Sequence, residues 1–146
     1  MGRIIAIDYG KKRIGIAVTD QLQLIANGLK TLGVEQIFPF LKTYIQQECV
    51  DLLLVGEPKQ MNYTNSEACK YIEPFVKKLQ EEFPNIPIKR IDERFTSKMA
   101  FQTMIDAGLN KKKRQDKALI DTISATIMLQ SYLESLEYKL TKERTI

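Results

Sequence analysis

Three acids stand where they could do chemistry: Asp8 at the end of an Ile and Ala run, one of the pair Asp92-Glu93 closing another apolar run, and Asp121 between Ile120 and Ile123. A carboxylate at the margin of a core is costly to bury unless a cation meets it. Several carboxylates at one point repel one another and raise their pKa values unless a cation is fixed among them. Oxygen-only ligation suits Mg²⁺ or Mn²⁺, and two such ions a few ångström apart stabilise both the attacking and the leaving oxygen of a phosphoryl transfer. The chain contains no histidine. That excludes Ser-His, Cys-His and histidine-base mechanisms, so any enzymatic chemistry runs on carboxylates, lysines, tyrosines or a metal.

Each acid also has a plainer use. Asp8 could cap the turn at Gly10 or pair with Lys11, Lys12 or Arg13. Asp92 and Glu93 alternate across a strand, so only one of them joins Asp8, and both could be a solvated strand end bonded to Arg90 and Arg94. Asp121 could answer a helix dipole or pair with Lys117. Asp116 is roughly 140° away around the same helix, and the apolar flanks of Asp121 make it the preferred acid of the two.

The basic residues tilt the balance towards a site. Lys11-Lys12-Arg13 follow Asp8, and Lys111, Lys112, Lys113, Arg114 and Lys117 precede Asp121 in one polar stretch. Charge runs are usually solvated surface, but two runs abutting the acids fit a cleft that holds phosphates beside a metal. The formal charge of +4 and the pI near 9.0 lean the same way.

The elements that must position these residues are legible. Arg3 to Ile7 reads as a central strand, Ile14, Ile16 and Val18 as a second, and a third is expected around Leu24 to Leu32, an antiparallel meander. Helical spacing takes over from Glu35 to about Cys49, with Ile37, Phe38, Leu41, Tyr44 and Ile45 on one face. Leu52 to Val55, closed by Gly56 and Pro58, is the continuous run of a parallel strand buried on both faces. The capping box Thr64-x-x-Glu67 opens a helix carrying Ala68, Ile72, Phe75, Val76, Leu79 and Phe83. A strand through Ile88 to Ile91 follows, then a helix capped by Ser97 and ended by Gly108, then a final helix from Leu119 to Leu136 before a charged tail.

The order predicts an α/β layer structure with a mixed sheet, and the 146 residues predict one domain over 1–138 with a tail at 139–146. Three acids at two strand ends and one helix start then converge on one rim of that sheet, where ligands of α/β folds commonly bind. Cys49 and Cys69 lack metal or disulfide spacing and read as small core hydrophobes. The lack of a signal-peptide pattern and of an apolar run near ~18 residues predicts a cytoplasmic protein.

Four motifs in order resemble those of the YqgF or RuvX proteins, which are described as Holliday-junction resolvases and as nucleases maturing the 5′ end of pre-16S ribosomal RNA. Asp8-Tyr9-Gly10-Lys11-Lys12-Arg13-Ile14-Gly15-Ile16-Ala17 is similar to the opening Asp-x-Gly-x-Lys-Arg-Ile-Gly-Val-Ala, and Val55-Gly56-Glu57-Pro58-Lys59-Gln60-Met61 to Val-Gly-Leu-Pro-x-x-Met. Asp92-Glu93-Arg94-Phe95-Thr96-Ser97 resembles Asp-Glu-Arg-x-Thr-Ser/Thr, and Asp121-Thr122-Ile123-Ser124-Ala125 with Leu129-Gln130-Ser131-Tyr132 resembles the closing motif. The resemblance runs from Arg3 to about Leu136 and implies a ribonuclease H-like fold, a sheet of three antiparallel then two parallel strands, and Asp8, Glu93 and Asp121 as metal-binding catalytic acids. Two positions depart: Glu57 replaces an apolar residue and adds either a fourth carboxylate or a solvent contact, and Tyr63 stands where glycine is common.

Sugar-kinase and actin-like ATPases share an Asp-x-Gly hairpin on this fold, but they hold nucleotide between two such domains. A catalytically idle nucleic-acid-binding module is the third reading. The expected partner is nucleic acid, structured RNA before branched DNA, and the RNA preference rests on the resemblance. No spare apolar helix face calls for a partner copy, which predicts a monomer or weak dimer.

Overall fold

A computed structural model describes residues 2–10, 12–57, 67–92 and 117–144, the side chains of 57, 67–71, 92, 117–118 and 137–144 excepted. Five strands, β1 (Arg3–Tyr9), β2 (Arg13–Thr19), β3 (Ala26–Gly33), β4 (Val50–Glu57) and β5 (Ile88–Asp92), form one sheet in the order β3-β2-β1-β4-β5. β1, β2 and β3 pair antiparallel, whereas β4 lies parallel to β1 and β5 parallel to β4. The mixed five-stranded sheet expected from the sequence is the one observed. Helices α1 (Ile37–Gln47), α2 (Glu67–Glu82) and α3 (Lys117–Arg144) complete the described elements.

Alternation along the strands creates two apolar layers. Ile5 and Ile7 of β1, Ile14, Ile16 and Val18 of β2, and Leu53 and Val55 of β4 meet Ile37 and Leu41 of α1 and Ile72, Phe75, Val76 and Leu79 of α2. Ile4, Ala6, Ala17 and Leu54 meet Ala125, Met128, Leu129 and Leu133 of α3 on the other face. Burying each large aliphatic side chain stabilises the fold by roughly 1.5–3 kcal/mol. The second layer is thinner because Ala6 and Ala17 replace branched residues, and α3 settles close to the sheet. At Gly28 of β3 a Cβ would stand 2.8 Å from Thr122 Cγ2 and 2.9 Å from Thr126 Oγ1, so glycine admits the helix there too.

Some expectations change. A 3₁₀ turn at Val34–Gln36 precedes α1, and β4 extends beyond the apolar run at both ends. The last helix continues to Arg144 rather than stopping at Leu136, since Leu, Lys, Glu and Arg of the charged tail are good helix formers. Cys49 is exposed rather than a core hydrophobe, because α1 has ended at Gln47 and the chain is turning into β4. Leu22, Leu24, Ile25 and Leu29 are exposed, so among the described residues the exposed large apolar side chains lie on the β2–β3 hairpin and edge strand. Thr64 of the capping box and the helix expected from Ser97 to Gly108 lie outside the described residues. Among the described residues no helix is long and apolar enough to cross a membrane.

Candidate active site

Asp8 follows Ile7 on β1, and alternation puts it on the face of Ile4 and Ala6, the face that α3 covers. Its register partners are Gly15 on β2 and Gly56 on β4. Directly opposed residues share a face, so neither lateral neighbour has a side chain to cover the carboxylate. Asp8 is accordingly half-buried at the carboxyl end of β1.

Gly15 also receives α3. A Cβ at this position would collide with the carbonyl oxygen of Asp121, a clash that only backbone movement could relieve. Glycine in a strand commonly marks such a close backbone approach. Asp121 therefore sits over the residue that faces Asp8 across the β1–β2 ladder. A further contact pins the first turns of α3 to β3: Thr31 and Thr122 share a 2.6 Å hydroxyl hydrogen bond, while within α3 Thr126 Oγ1 donates to the Thr122 carbonyl at 2.8 Å.

Arg13 opens β2 on the same face as Gly15, and its Nε donates to Asp121 Oδ2 at 2.9 Å. The β1–β2 turn that delivers it is closed by the Gly10 N–H donating to the Arg13 carbonyl at 3.0 Å. This cation, expected to grip phosphate, is occupied in holding Asp121. The carboxylate retains acceptor capacity, because two oxygens offer about four lone-pair sites. One turn beyond Asp121, Ser124 is 1% exposed, and its hydroxyl has no hydrogen-bond partner among the described residues.

The remaining expected residues divide. Lys12 is exposed in the β1–β2 turn, whereas Lys11, Glu93, Arg94, Lys111, Lys112, Lys113 and Arg114 lie outside the described residues. Lys117 begins α3 and Glu57 ends β4 in register with Asp92, and their side chains are not described. Around that end of β5, Ile91 packs in the α3 layer, while Arg90 Nη2 pairs with Glu73 Oε1 of α2 at 2.6 Å on the opposite face. Among the described residues no three Asp, Glu, Cys or His side chains cluster, and Asp8 and Asp121 are related through Gly15, which faces the first across the ladder and lies under the backbone of the second.

Among the described residues two carboxylates are held below their ordinary range, neither of them on the face that α3 covers. Asp20 is lowered chiefly by the Ile25 backbone N–H, with Leu24 adding a second donor, and Glu73 by the hydrogen bond from Arg90. Each stabilises a local structure, the β2–β3 hairpin and the α2–β5 contact. Sequence reasoning named Asp8 and Asp121 as candidates and did not single out Gly15, Gly56 or Ser124. Gly15 carried a signal, a glycine inside an otherwise branched alternating strand.

A family profile described as "RuvX: Holliday junction resolvase" matches residues 2–135. The chain belongs to the RuvX family. RuvX relatives include a protein of Phocaeicola vulgatus, 57% identical over 138 residues, covering 94% of this chain and 99% of the relative. Another, from Flavobacterium psychrophilum, is 60% identical over 133 residues, with 91% and 97% coverage. Both are provisionally named pre-16S rRNA nuclease. Among solved structures, Thermus thermophilus RuvC in complex with a Holliday junction substrate superposes with a TM-score of 0.55 at 16% identity, covering 93% of this chain and 96% of that one. A second Thermus thermophilus RuvC structure gives a TM-score of 0.50 at 14% identity, with 92% and 96% coverage. At these identities the likeness establishes the ribonuclease H-like fold. The RuvX family match and the names of the relatives place the chain among nucleases, hydrolases of phosphodiester bonds.

Proposed function

We propose that the chain is a divalent-metal nuclease acting on precursor 16S ribosomal RNA, with Asp8 and Asp121 as metal-binding catalytic acids and Glu93 as the third. The observation that carries this reading is the convergence of Asp8 and Asp121 on Gly15: two acids 113 positions apart are brought to one rim by the only residue type that lets the helix approach. The donors fit a hard ion, since both side chains offer carboxylate oxygens and neither a thiol nor an imidazole. The buried Ser124 hydroxyl, three residues along α3 from Asp121 and without a partner among the described residues, suits a site completed by water. Mg²⁺ or Mn²⁺ held there would supply charge stabilisation to the attacking and leaving oxygens.

The chain's own residues have separable tasks in this proposal. Asp8 and Asp121 hold the ion, Arg13 fixes one oxygen of Asp121, and Lys11, Lys12, Arg94, Lys111, Lys112, Lys113, Arg114 and Lys117 draw the phosphate backbone into place. Glu57 is a candidate further ligand. Residues 1–138 act as one domain, followed by the charged segment 139–146, and the protein works in the cytoplasm as a monomer or weak dimer.

The family description favours a second substrate, branched DNA. A junction resolvase makes paired cuts and so presents two active sites through a symmetric dimer. Purified protein and its Asp8→Asn variant, incubated with Mn²⁺ and either precursor ribosomal RNA or a four-way junction, decide between them. RNA cleavage lost in the variant is the expected result. Symmetric junction cleavage with RNA left intact replaces the substrate, and no metal-dependent cleavage of either replaces the enzyme with a binding module.

A further inference from the structure

On the face opposite Asp8, the same rim holds a cavity of about 460 Å³ lined by Tyr9, Val34, Glu35, Phe38, Phe75 and Lys78 among others. Its volume falls within the roughly 300–1,000 Å³ of small-ligand sites. Tyr9 directly follows Asp8 on β1, and alternation turns it to the α2 side, where it stacks on Phe75 with ring centroids 4.4 Å apart. Val34 and Glu35 follow Gly33, the register partner of Arg13. The pocket and the acid pair therefore flank one edge of the sheet, with Asp8 and Tyr9 as adjacent residues pointing to either side.

The lining is suited to a planar heteroaromatic. Phe38 stands 5.7 Å from Phe75 by centroid, tilted 59°, and the Lys78 ammonium lies 4.4 Å above the Phe38 ring. That cation–π contact holds Phe38 in place and keeps a positive charge at the pocket's mouth. The walls are apolar and aromatic, while Glu35 can accept, and Lys78 donate, hydrogen bonds at the edge of a base. Such platforms take any base, because every base has a π face.

We infer that this pocket receives an unpaired nucleobase of the substrate strand whose phosphate lies at Asp8 and Asp121. The inference rests on the nuclease reading above and adds how the strand is held: the backbone crosses the sheet edge, the phosphate meets the carboxylates on one side, and the flanking base stacks on the other. A single-stranded or splayed substrate can adopt that path; a continuous duplex cannot present an unstacked base there.

The test uses the full chain carrying Asp8→Asn, which removes a catalytic acid and leaves the pocket residues in place. Short single-stranded RNAs carry 2-aminopurine, or an abasic site, moved along the strand one position at a time. The expected result is fluorescence quenching at one position and about a tenfold loss of affinity when that position is abasic. Adding Phe38→Leu, which keeps apolar volume, should abolish both, and Lys78→Met, on an exposed residue, should weaken binding without altering the thermal midpoint. Affinity that ignores both the abasic position and Phe38→Leu overturns the inference and leaves the nuclease reading intact. Absence of binding to any RNA or DNA overturns both readings together.

Discussion

Arg13 and Asp121 are 108 positions apart in the chain and joined by a 2.9 Å charge-assisted hydrogen bond, so the first strand pair and the last helix meet at the candidate site. Part-exposed pairs of this kind contribute little to stability, about 0–1 kcal/mol. Their effect on a neighbouring dication is larger in kind, because a guanidinium beside the ion repels it. Arg13→Gln is expected to tighten Mn²⁺ binding several-fold in calorimetric titration while leaving the thermal midpoint nearly unchanged. Weaker binding would show that Arg13 mainly orients Asp121.

Gly15→Ala should disturb the site by moving backbone rather than by removing chemistry. The added methyl meets the Asp121 carbonyl, and overpacking of this type costs typically about 1–3 kcal/mol. The expected outcome is a thermal midpoint lowered by several degrees together with weakened Mn²⁺ affinity. Gly33→Ala is the control, since a Cβ there meets only Gln36 Oε1, at 3.8 Å. If the two variants behave alike in both measurements, α3 does not depend on Gly15.

Asp8→Asn and Asp121→Asn each keep the size of the side chain and remove its charge. Each is expected to lower Mn²⁺ affinity at least tenfold in calorimetry. Asp20→Asn, in the β2–β3 hairpin, should leave it unchanged, because that carboxylate is engaged by the Leu24 and Ile25 backbone. Equal affinities for wild type and the Asp8 variant would remove the metal site from this rim.

Phosphate contacts by the basic stretch before α3 should appear as salt dependence. Each neutralised phosphate changes the slope of log K against log salt by roughly 0.7–0.9. Replacing Lys111, Lys112, Lys113 and Arg114 by alanine is expected to flatten the slope for RNA by a few such steps. An unchanged slope would place the backbone contacts elsewhere, on Lys12 and its neighbours for example.

Local pattern determined most of what the sequence revealed about the elements. Ile14, Ile16 and Val18 alternate because one face of β2 is core, and Ile72, Phe75, Val76 and Leu79 repeat at helical spacing because one face of α2 is core. These periodicities are properties of a few adjacent residues, so no long-range information is needed to read them. The absence of histidine and the position of Asp8 at the end of an apolar strand were equally local, and they narrowed the chemistry to carboxylates, lysines, tyrosines or a metal. The pairing of Arg13 with Asp121, rather than with Asp8 or a phosphate, depended on which strand α3 crosses. The exposure of Leu22, Leu24 and Ile25 depended on β3 being a sheet edge. The role of Gly15 depended on both its partner across the ladder and the helix above it. Charge pairing, edge exposure and close backbone approach are distances between segments remote in sequence, and only the packed sheet and helix set them.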